Sequence, residues 1–319
     1  MTVIQKLKNI DYASLQISDY SRDYIIRMLP HLEYYFDIYE RCIQKALSLS
    51  GKPAGQLTMV DYGGGHGFLS FLAKSKGIGQ VVYVDFNPQA VQTVHALSDM
   101  LGTGPDVVIE GDAMVLRRWC ERESVVPDVL LGMDVIEHIY CLDDFFSDIF
   151  AVNRDMAMVF TTGSTPYNRR VVNRLHKVMV DDEMGVAGRP GFRAMRRDFI
   201  ALHFTDMPAG QLDYWAVHTR GLNYDDVLRA VDSQSPNLLS DPFNTCDPST
   251  GSWTERILPI RDYQTLVQSY GASLCVENGF YNSYRKGLKG LLSKWLNRPL
   301  LKGRMRSMAP FIVLIVSSR

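Results

Sequence analysis

Apolar residues in the first part of the chain are spaced as in a helix. They lie three or four positions apart at Ile25, Ile26, Leu29, Leu32, Tyr35, Phe36, Tyr39, Ile43 and Leu47. This spacing places them on one helical face, and Pro30 predicts a break into two helices because proline disrupts a helix interior. We therefore predict an N-terminal helical region over residues 1–50, followed by a loop at 51–55.

The pattern changes near residue 57, where short apolar runs begin to alternate with amphipathic stretches. The apolar runs predict strands at 57–62, 80–85, 107–110, 129–133 and 156–162. The stretches between them predict helices at 67–76, from Pro88 and at 142–152, since proline is tolerated in the first turn of a helix. Strand–helix repeats of this length indicate an α/β fold with a parallel sheet covered on both faces.

The repeat is interrupted between residues 163 and 260, which carry turn residues, tyrosines and mixed charge. It resumes with a helix at 263–270 and strands at 273–281 and 309–317. We therefore divide the chain into the helical region 1–50, a core over 51–162, an insert over 163–260 and a C-terminal part of the core over 261–319.

Composition and charge fit a globular protein of a reducing compartment. Hydrophobic residues make up 46% and charged residues 22% of the 319 residues, enough for a sizeable core. A formal net charge of −1 gives no general attraction to nucleic acid. The five cysteines are scattered without a CxxC pair, which argues against a zinc knuckle or a disulfide framework. Because we find neither a signal peptide nor an apolar run of about 20 residues, we expect a cytoplasmic location.

A glycine-rich turn, Asp-Tyr-Gly-Gly-Gly-His-Gly at 61–67, lies where the first predicted strand meets the following helix. Glycine permits positive φ and a close approach of a ligand to the backbone. The helix N-terminus adds unpaired N–H groups and a positive dipole end. Asp85 ends the second strand, eighteen residues after Gly67, where a carboxylate can accept hydrogen bonds from a ribose diol. The order of these features predicts a nucleoside site; the alternative is a tight turn that binds nothing.

Two cofactors compete for such a turn. A dinucleotide site requires GxGxxG or GxGxxA. Counted from Gly63 the sixth position is Phe68, which fails, and counted from Gly65 it is Ser70, a near miss. The methyl-donor pattern is an acid followed by GxGxG, and this turn fills each of its positions with Asp61, Gly63, Gly65 and Gly67.

In these positions the sequence resembles the class I S-adenosylmethionine-dependent methyltransferases. Three further segments share the likeness: Gly111-Asp112-Ala113 after the third strand, DVLLGMDVIEH at 128–138, and LDDFFSDIF at 142–150. With the helix and two strands at the end of the chain, the resemblance covers about residues 55–162 and 261–319. It implies a doubly wound, mostly parallel seven-stranded sheet with an antiparallel last strand.

The resemblance also implies S-adenosyl-L-methionine as the cofactor. The residues that would hold it are Asp61, Gly63, Gly65, Gly67, Asp85, Phe86, Asp112, Ala113 and Met133. Asp112 stands where the family usually places a polar group near the adenine. Inserts after the fifth strand often cover the acceptor in this family, so we expect residues 163–260 and the N-terminal helices to enclose it.

Asp134, Glu137 and His138 follow the fourth strand and are the predicted catalytic residues. Methyl transfer is an in-line displacement in which the protein aligns the partners and sometimes removes a proton, and histidine can act as the base near neutral pH. The cluster is similar to one in the metal-assisted ubiquinone-pathway O-methyltransferases and small-RNA 2′-O-methyltransferases, which carry a glutamate where Asp134 stands and a further histidine. We predict no metal ligand; a divalent ion at this cluster is the alternative. Further candidates for the base lie in the insert: His176, Asp181, Asp182, Glu183, His203, Tyr214 and His218.

Residues 284–308 carry eight basic residues and no acid. The apolar residues of this segment fall on one face of a predicted helix: Leu288, Leu291, Leu292, Trp295 and Leu296. We expect this face to pack on the domain and the charges to be solvated. The alternative is a peripheral contact with an anionic membrane.

The sequence thus predicts an enzyme that transfers a methyl group from S-adenosylmethionine to a small-molecule or glycan acceptor, at oxygen. One alternative is an NAD(P)-dependent oxidoreductase, which Phe68 disfavours. A second is an RNA 2′-O-methyltransferase, but only residues 284–308 offer the positive charge that a nucleic-acid groove needs. A third is a non-catalytic partner subunit that keeps the fold, which the intact Asp61 and Asp85 disfavour.

Overall fold

A computed structural model describes residues 1–318 of the chain. Those residues form two compact units. The first unit comprises Met1–Ile136, Asp143–Thr162 and the chain from Arg261 onwards, and the second comprises Glu137–Leu142 and Gly163–Ile260.

The strands within the described residues are β1 (Thr58–Tyr62), β2 (Gln80–Asp85), β3 (Val107–Glu110), β4 (Val129–Met133), β5 (Ala157–Thr162), β6 (Gly185–Val186), β7 (Arg189–Pro190), β8 (Ala272–Asn278) and β9 (Ile312–Ser318). Seven of them form one sheet in the order β3-β2-β1-β4-β5-β9-β8. Strands β1 to β5 pair in parallel, whereas β9 pairs antiparallel with both β5 and β8. The predicted fold class, including the antiparallel last strand, is confirmed.

The helices in the same part of the chain are α1 (Val3–Lys8), α2 (Asp19–Met28), α3 (Leu32–Ser50), α4 (Phe68–Ser75), α5 (Pro88–Leu101), α6 (Ala113–Glu123), α7 (Leu142–Val152), α8 (Arg169–Met184), α9 (Phe192–His203), α10 (Ala209–His218), α11 (Tyr224–Asp232), α12 (Ile260–Ser269) and α13 (Leu288–Leu300). Within residues 1–318, no helix is long and apolar enough to cross a bilayer.

The core of the first unit follows from the apolar runs of the sheet. Nearly every side chain of β1, β2, β4 and β5 is buried, as expected for parallel strands covered on both faces. Helices α3 and α4 contribute buried residues such as Phe36 and Phe71 to the same core as Val129. The predicted break at Pro30 is confirmed, because a single 3₁₀ turn over Leu29–His31 separates α2 from α3.

The second unit is largely helical, which the sequence pattern did not predict. Two of its helices begin at polar caps: the Asn168 side chain accepts hydrogen bonds from the N–H groups of Arg170 and Val171 in α8, and Asn223 accepts one from Asp226 in α11. A buried ion pair joins two helices, since fully buried Arg196 on α9 lies 2.6 Å from Glu183 on α8. Such long-range polar pairs leave no periodic signal in the sequence.

Helix α13 corrects one expectation about the basic segment. Leu288, Leu291, Leu292 and Trp295 were expected to pack on the domain, but each is more than half exposed. The helix instead buries the face that carries Gly290, Asn297 and Leu300. The side chain of Asn297 both accepts from and donates to the backbone of Tyr281, at 2.7 and 2.8 Å. These paired hydrogen bonds favour burial of the smaller, more polar face.

Candidate functional site

The sheet order marks one place where a ligand can bind. The chain runs from β1 outward to β2 and β3 and then returns to the other side of β1 at β4. Ligands of open α/β sheets bind at the carboxyl ends of the strands at such a reversal. The first unit has a cavity of about 260 Å³ there, close to the lower end of small-molecule sites, about 300 Å³.

The cavity draws its lining from two sources. The N-terminal helices supply Tyr20, Ser21, Tyr24, Met28, Tyr35 and Tyr39. The sheet edge and the helices that follow it supply Asp61, Gly63, Gly64, Gly65, His66, Phe68, Leu69, Asp85, Asn87, Ala90, Met133 and Asp134. Six of the predicted cofactor and catalytic positions are therefore brought together: Asp61, Gly63, Gly65, Asp85, Met133 and Asp134.

Two glycines of the turn between β1 and α4 have different tasks. Gly63 has φ +63°, and a Cβ there would lie 2.3 Å from Cγ2 of Val135, so the backbone packs too tightly for a side chain. Gly65 has φ +53°, but a Cβ would meet nothing within 4 Å. Positive φ favours glycine at both positions, and Gly65 additionally leaves its backbone open to the cavity.

Strand β2 holds this turn in place. The N–H groups of Gly63 and Gly64 both donate to the carbonyl oxygen of Val84, at 2.8 and 3.2 Å. The Tyr83 hydroxyl donates to the carbonyl oxygen of Gly65 at 2.6 Å. The turn is therefore fixed by the protein itself, and a ligand need not order it.

The carboxylate of Asp85 ties the turn to the end of β2. Its Oδ2 accepts the N–H of Gly65 and its Oδ1 accepts the N–H of Asn87, each at 2.8 Å. Burial raises the pKa of Asp85, and the two backbone hydrogen bonds oppose that rise. Each carboxylate oxygen can accept a further hydrogen bond, so the group can still receive two hydroxyls of a ribose.

Asp61, at β1, is the most deeply buried acid of the cavity, with only 1% of its surface exposed. Its Oδ2 accepts the Ser70 hydroxyl from α4 at 2.6 Å. Burial raises the pKa of Asp61 to about 7; the hydrogen bonds from Ser70 lower it and the charge of Asp85 raises it further. The ionised form is costly here, and a cation bound beside it would relieve that cost.

Asp134 follows β4 and has φ +50°, an uncommon conformation outside glycine. Its N–H donates to the carbonyl oxygen of Thr161 on β5 at 3.0 Å. The hydrogen bond to the neighbouring strand holds the residue in this turn. Of the three predicted catalytic residues, Asp134 is the one that lines the cavity of the first unit.

The tyrosines of α2 and α3 and His66 were not predicted as site residues. The rings of Tyr24 and His66 stack with centroids 4.7 Å apart. Burial lowers the pKa of His66 to about 4, and its buried Nε2 has no hydrogen-bond partner among the described residues. Burial, with smaller contributions from nearby charges, raises the pKa of Tyr24 to about 12. The wall is thus aromatic and uncharged near neutral pH.

The sequence carried one faint signal for this wall. Tyr20 and Tyr24 are four residues apart, as are Tyr35 and Tyr39, so each pair shares a helical face. Tyr35 and Tyr39 were assigned to the helical apolar face, which is the ordinary role of such a pattern.

The charged residues that line the cavity have one sign. Three carboxylates line it, and no lysine or arginine stands among the lining residues of the described chain. Because His66 is neutral near physiological pH, no cationic side chain stands among the lining residues of the described chain. Such a cavity favours a ligand that carries positive charge.

Four predicted cofactor residues lie outside this lining: Gly67, Phe86, Asp112 and Ala113. Gly67 is the N-cap of α4, and the buried Ala113 begins α6. Phe86 has 59% of its surface exposed. Asp112 caps α6 by accepting the N–H of Val115 at 3.0 Å. Strands β2 and β3 end side by side, so Phe86 and Asp112 follow neighbouring strand ends.

Glu137 and His138 belong to the second unit and bond within it. Oε1 of the buried Glu137 accepts the N–H of Gly163 at 3.2 Å. Nδ1 of His138 lies 2.7 Å from the carbonyl oxygen of Trp253. A carbonyl can only accept, so Nδ1 carries the proton and Nε2 of the neutral ring is left as a base. The catalytic roles of both residues stay predictions.

No metal centre is visible in the cluster after β4. Across residues 1–318, no three or more His, Cys, Asp and Glu side chains are grouped so as to hold a metal ion.

Comparison with known proteins gives neighbours by structure only. No protein-family model matches the chain, and no curated protein matches its sequence. The solved structures that it resembles include S-adenosylmethionine-dependent methyltransferases.

One is such a methyltransferase from Archaeoglobus fulgidus, with 11% identity over 88% of this chain and 93% of that chain, at a TM-score of 0.41. Another is the plantazolicin methyltransferase BamL, solved with a triazolic desmethylPZN analog and SAH, with 10% identity over 91% of both chains and a TM-score of 0.41. A third is the plantazolicin methyltransferase BpumL with SAH, with 9% identity over 99% of this chain and 96% of that chain, at a TM-score of 0.37. All three TM-scores lie below 0.5, and the proposals below stand on the residues of the chain itself.

Proposed function

We propose that the protein is an S-adenosylmethionine-dependent methyltransferase whose cofactor lies in the cavity at the ends of β1, β2 and β4. The observation that carries the proposal is the charge of the lining, which has three carboxylates and no lysine or arginine in the described chain. S-Adenosylmethionine is a net cation, because its sulfonium and ammonium groups outweigh its one carboxylate. A dinucleotide brings an anionic pyrophosphate, which the carboxylates of Asp85 and Asp134 would repel.

Each element of the cavity has a role in this proposal. Asp85 accepts the ribose hydroxyls, and Asp61 faces the ammonium group of the cofactor. Gly63, Gly65 and Gly67 shape the turn that holds the ligand, with the Gly65 backbone open to it, while Met133 bounds it at the end of β4. Phe86, Asp112 and Ala113 contact the adenine beyond the cavity lining. The tyrosine rings present electron-rich faces, which attract cations.

The bound cofactor supplies an electrophilic methyl group and leaves as S-adenosylhomocysteine. The protein aligns the acceptor with that methyl group and takes up the acceptor's proton. Asp134 is placed to orient an acceptor hydroxyl because it lines the same cavity. His138, with Nε2 free to accept a proton, and Glu137 are the proposed base and its support. We propose O-methylation of a small-molecule or glycan acceptor.

We also propose that the enzyme works in the cytoplasm. Cys42, Cys120 and Cys246 are buried thiols that form no disulfide. Thiols that form no disulfide are typical of a reducing compartment.

A thermal-shift experiment separates this proposal from a dinucleotide enzyme. S-Adenosylhomocysteine should raise the melting temperature of the full chain, and NAD⁺ and NADP⁺ should not, because a ligand that binds only the folded state stabilises it. Asp85→Asn should remove most of the shift, whereas Asp99→Asn, an exposed acid on α5, should keep it. Stabilisation by NAD⁺ alone would refute the proposal.

A further inference from the structure

Helix α13 exposes an apolar stripe to solvent. Leu288, Leu291, Leu292 and Trp295 are 78%, 65%, 58% and 63% exposed. Their spacing of three and four residues places them on one face of the helix. Leu301 and Met305, just beyond the helix, are also exposed. Exposed apolar groups of this extent mark an interaction surface rather than an ordinary solvated helix.

The outward direction of the stripe is set by contacts on the opposite face. Asn297 forms two hydrogen bonds with the backbone of Tyr281. Gly290 packs so closely that a Cβ would lie 1.9 Å from the carbonyl oxygen of Arg285. A half-turn of the helix would bury the leucines only by breaking these contacts. The stripe is therefore held outward by the fold.

Basic side chains flank the stripe. At 3.6 residues per turn, Lys289 falls on one side of it and Lys294 and Arg298 fall on the other. Lys302 and Arg304 follow in the next segment, and residues 284–308 contain no acid. In residues 1–318 none of these five side chains forms an ion pair.

Three acids near the start of this segment are already paired elsewhere. Three acids of α3 lie near the Tyr284 side chain, namely Glu33, Asp37 and Glu40. They form ion pairs with Lys8, Arg41 and Lys76, respectively. The positive charge beside the stripe is therefore left for an external partner.

We propose that the stripe and its flanking bases, Leu288–Arg304, dock the protein on the surface of an anionic lipid membrane. An interfacial helix places its apolar face at the boundary of headgroups and acyl chains while its bases bind anionic headgroups. Both halves of that requirement are present on one face of α13. Charge complementarity selects lipid headgroups over a neutral apolar partner, and a second copy of this surface would bring like charges together.

The test is co-sedimentation of the full chain with phosphatidylcholine vesicles, with and without phosphatidylserine. Anionic vesicles should bind the protein at least about tenfold more tightly than neutral vesicles, and added salt should weaken the binding. Trp295→Ser with Leu291→Ser should abolish binding, and Lys289→Glu with Lys294→Glu should remove the preference for anionic lipid. Leu202→Ser, at an apolar residue of α9 that is 75% exposed, is the matched control and should bind normally.

Tryptophan emission gives a second measurement. Of the four tryptophans, Trp295 is exposed, Trp119 is half-buried, and Trp215 and Trp253 are buried. Anionic vesicles should therefore shift the emission of the chain to shorter wavelength, and Trp295→Phe should suppress the shift. Equal binding to both vesicle types, or no binding to either, would overturn the proposal. A third result would also overturn it: the protein self-associates in solution, as measured by sedimentation, Trp295→Ser abolishes that self-association, and the protein does not bind vesicles.

Discussion

Replacing Asp61 by asparagine should make the ligand-free protein more stable at pH 8. Asparagine has nearly the same shape, and its amide oxygen can still accept the Ser70 hydroxyl that now lies 2.6 Å from Asp61. The substitution removes the buried charge and one acceptor, because Ser70 donates to Asp61 through its hydroxyl and its backbone N–H and an amide NH2 cannot accept. The lost acceptor does not depend on pH, so the change between pH 4 and pH 8 reports the charge alone. A pKa of about 7 instead of 3.8 corresponds to about 4 kcal/mol, at 1.36 kcal/mol per pKa unit.

The pH dependence has a definite sign. Between pH 4 and pH 7 the folded protein keeps the Asp61 proton and the unfolded chain has lost it. The contribution of Asp61 to the free energy of unfolding therefore falls as pH rises through this range and stays constant above it. The variant lacks this loss, so its advantage over the wild type should grow from pH 4 to pH 8 and approach about 4 kcal/mol.

Urea unfolding followed by circular dichroism at several pH values measures this difference. Asp99→Asn, an exposed acid of α5, is the control and should leave the pH profile unchanged. Asp61→Asn should also lose affinity for S-adenosylhomocysteine, so stability and binding should change in opposite directions. A difference between variant and wild type that is the same at pH 4 and pH 8 would refute the reasoning about a buried, proton-holding carboxyl.

Three further predictions concern the turn, the aromatic wall and the second unit. Gly65→Ala should destabilise the protein by about 1–2 kcal/mol, from positive φ alone, and should abolish binding of S-adenosylhomocysteine. Gly63→Ala should destabilise it more, because its Cβ would lie 2.3 Å from Val135. Urea unfolding measures the two stabilities, and calorimetry measures the binding. The His66 ring should remain neutral down to a pH of about 4, and an NMR titration midpoint above 6, assigned with His66→Gln, would contradict its burial. Arg196→Met should cost about 3 kcal/mol, because it removes the ion-pair partner of Glu183, whose side chain is only 13% exposed, and leaves it the Thr245 hydroxyl alone; thermal melting that matches the wild type would contradict this.

The sequence was informative where local pattern determines structure. The strands Gln80–Asp85 and Val129–Met133 have the predicted bounds, because a buried parallel strand needs a continuous apolar run. The turn before α4 and Asp85 were predicted as neighbours, and the structure joins them by the hydrogen bond from Gly65. Both features depend on residues close to a strand end.

The rest depends on contacts that no short window of sequence contains. Tyr24 stacks on His66 from forty-two positions earlier in the chain, so the aromatic wall could not be inferred from either segment alone. The apolar stripe of α13 was recognised, but helical spacing defines a face without saying what lies against it. The hydrogen bonds of Asn297 decide that question.

The central claim is that the glycine turn and the carboxylates beside it bind a sulfonium nucleoside. Titration calorimetry of S-adenosylmethionine with the wild type, Asp61→Asn, Asp85→Asn and the double variant tests it most directly. We predict saturable binding by the wild type and a loss of at least about tenfold for each single variant, as expected when a charged hydrogen-bonding group is removed. Absence of binding by the wild type, or equal affinity in all four proteins, would contradict the account.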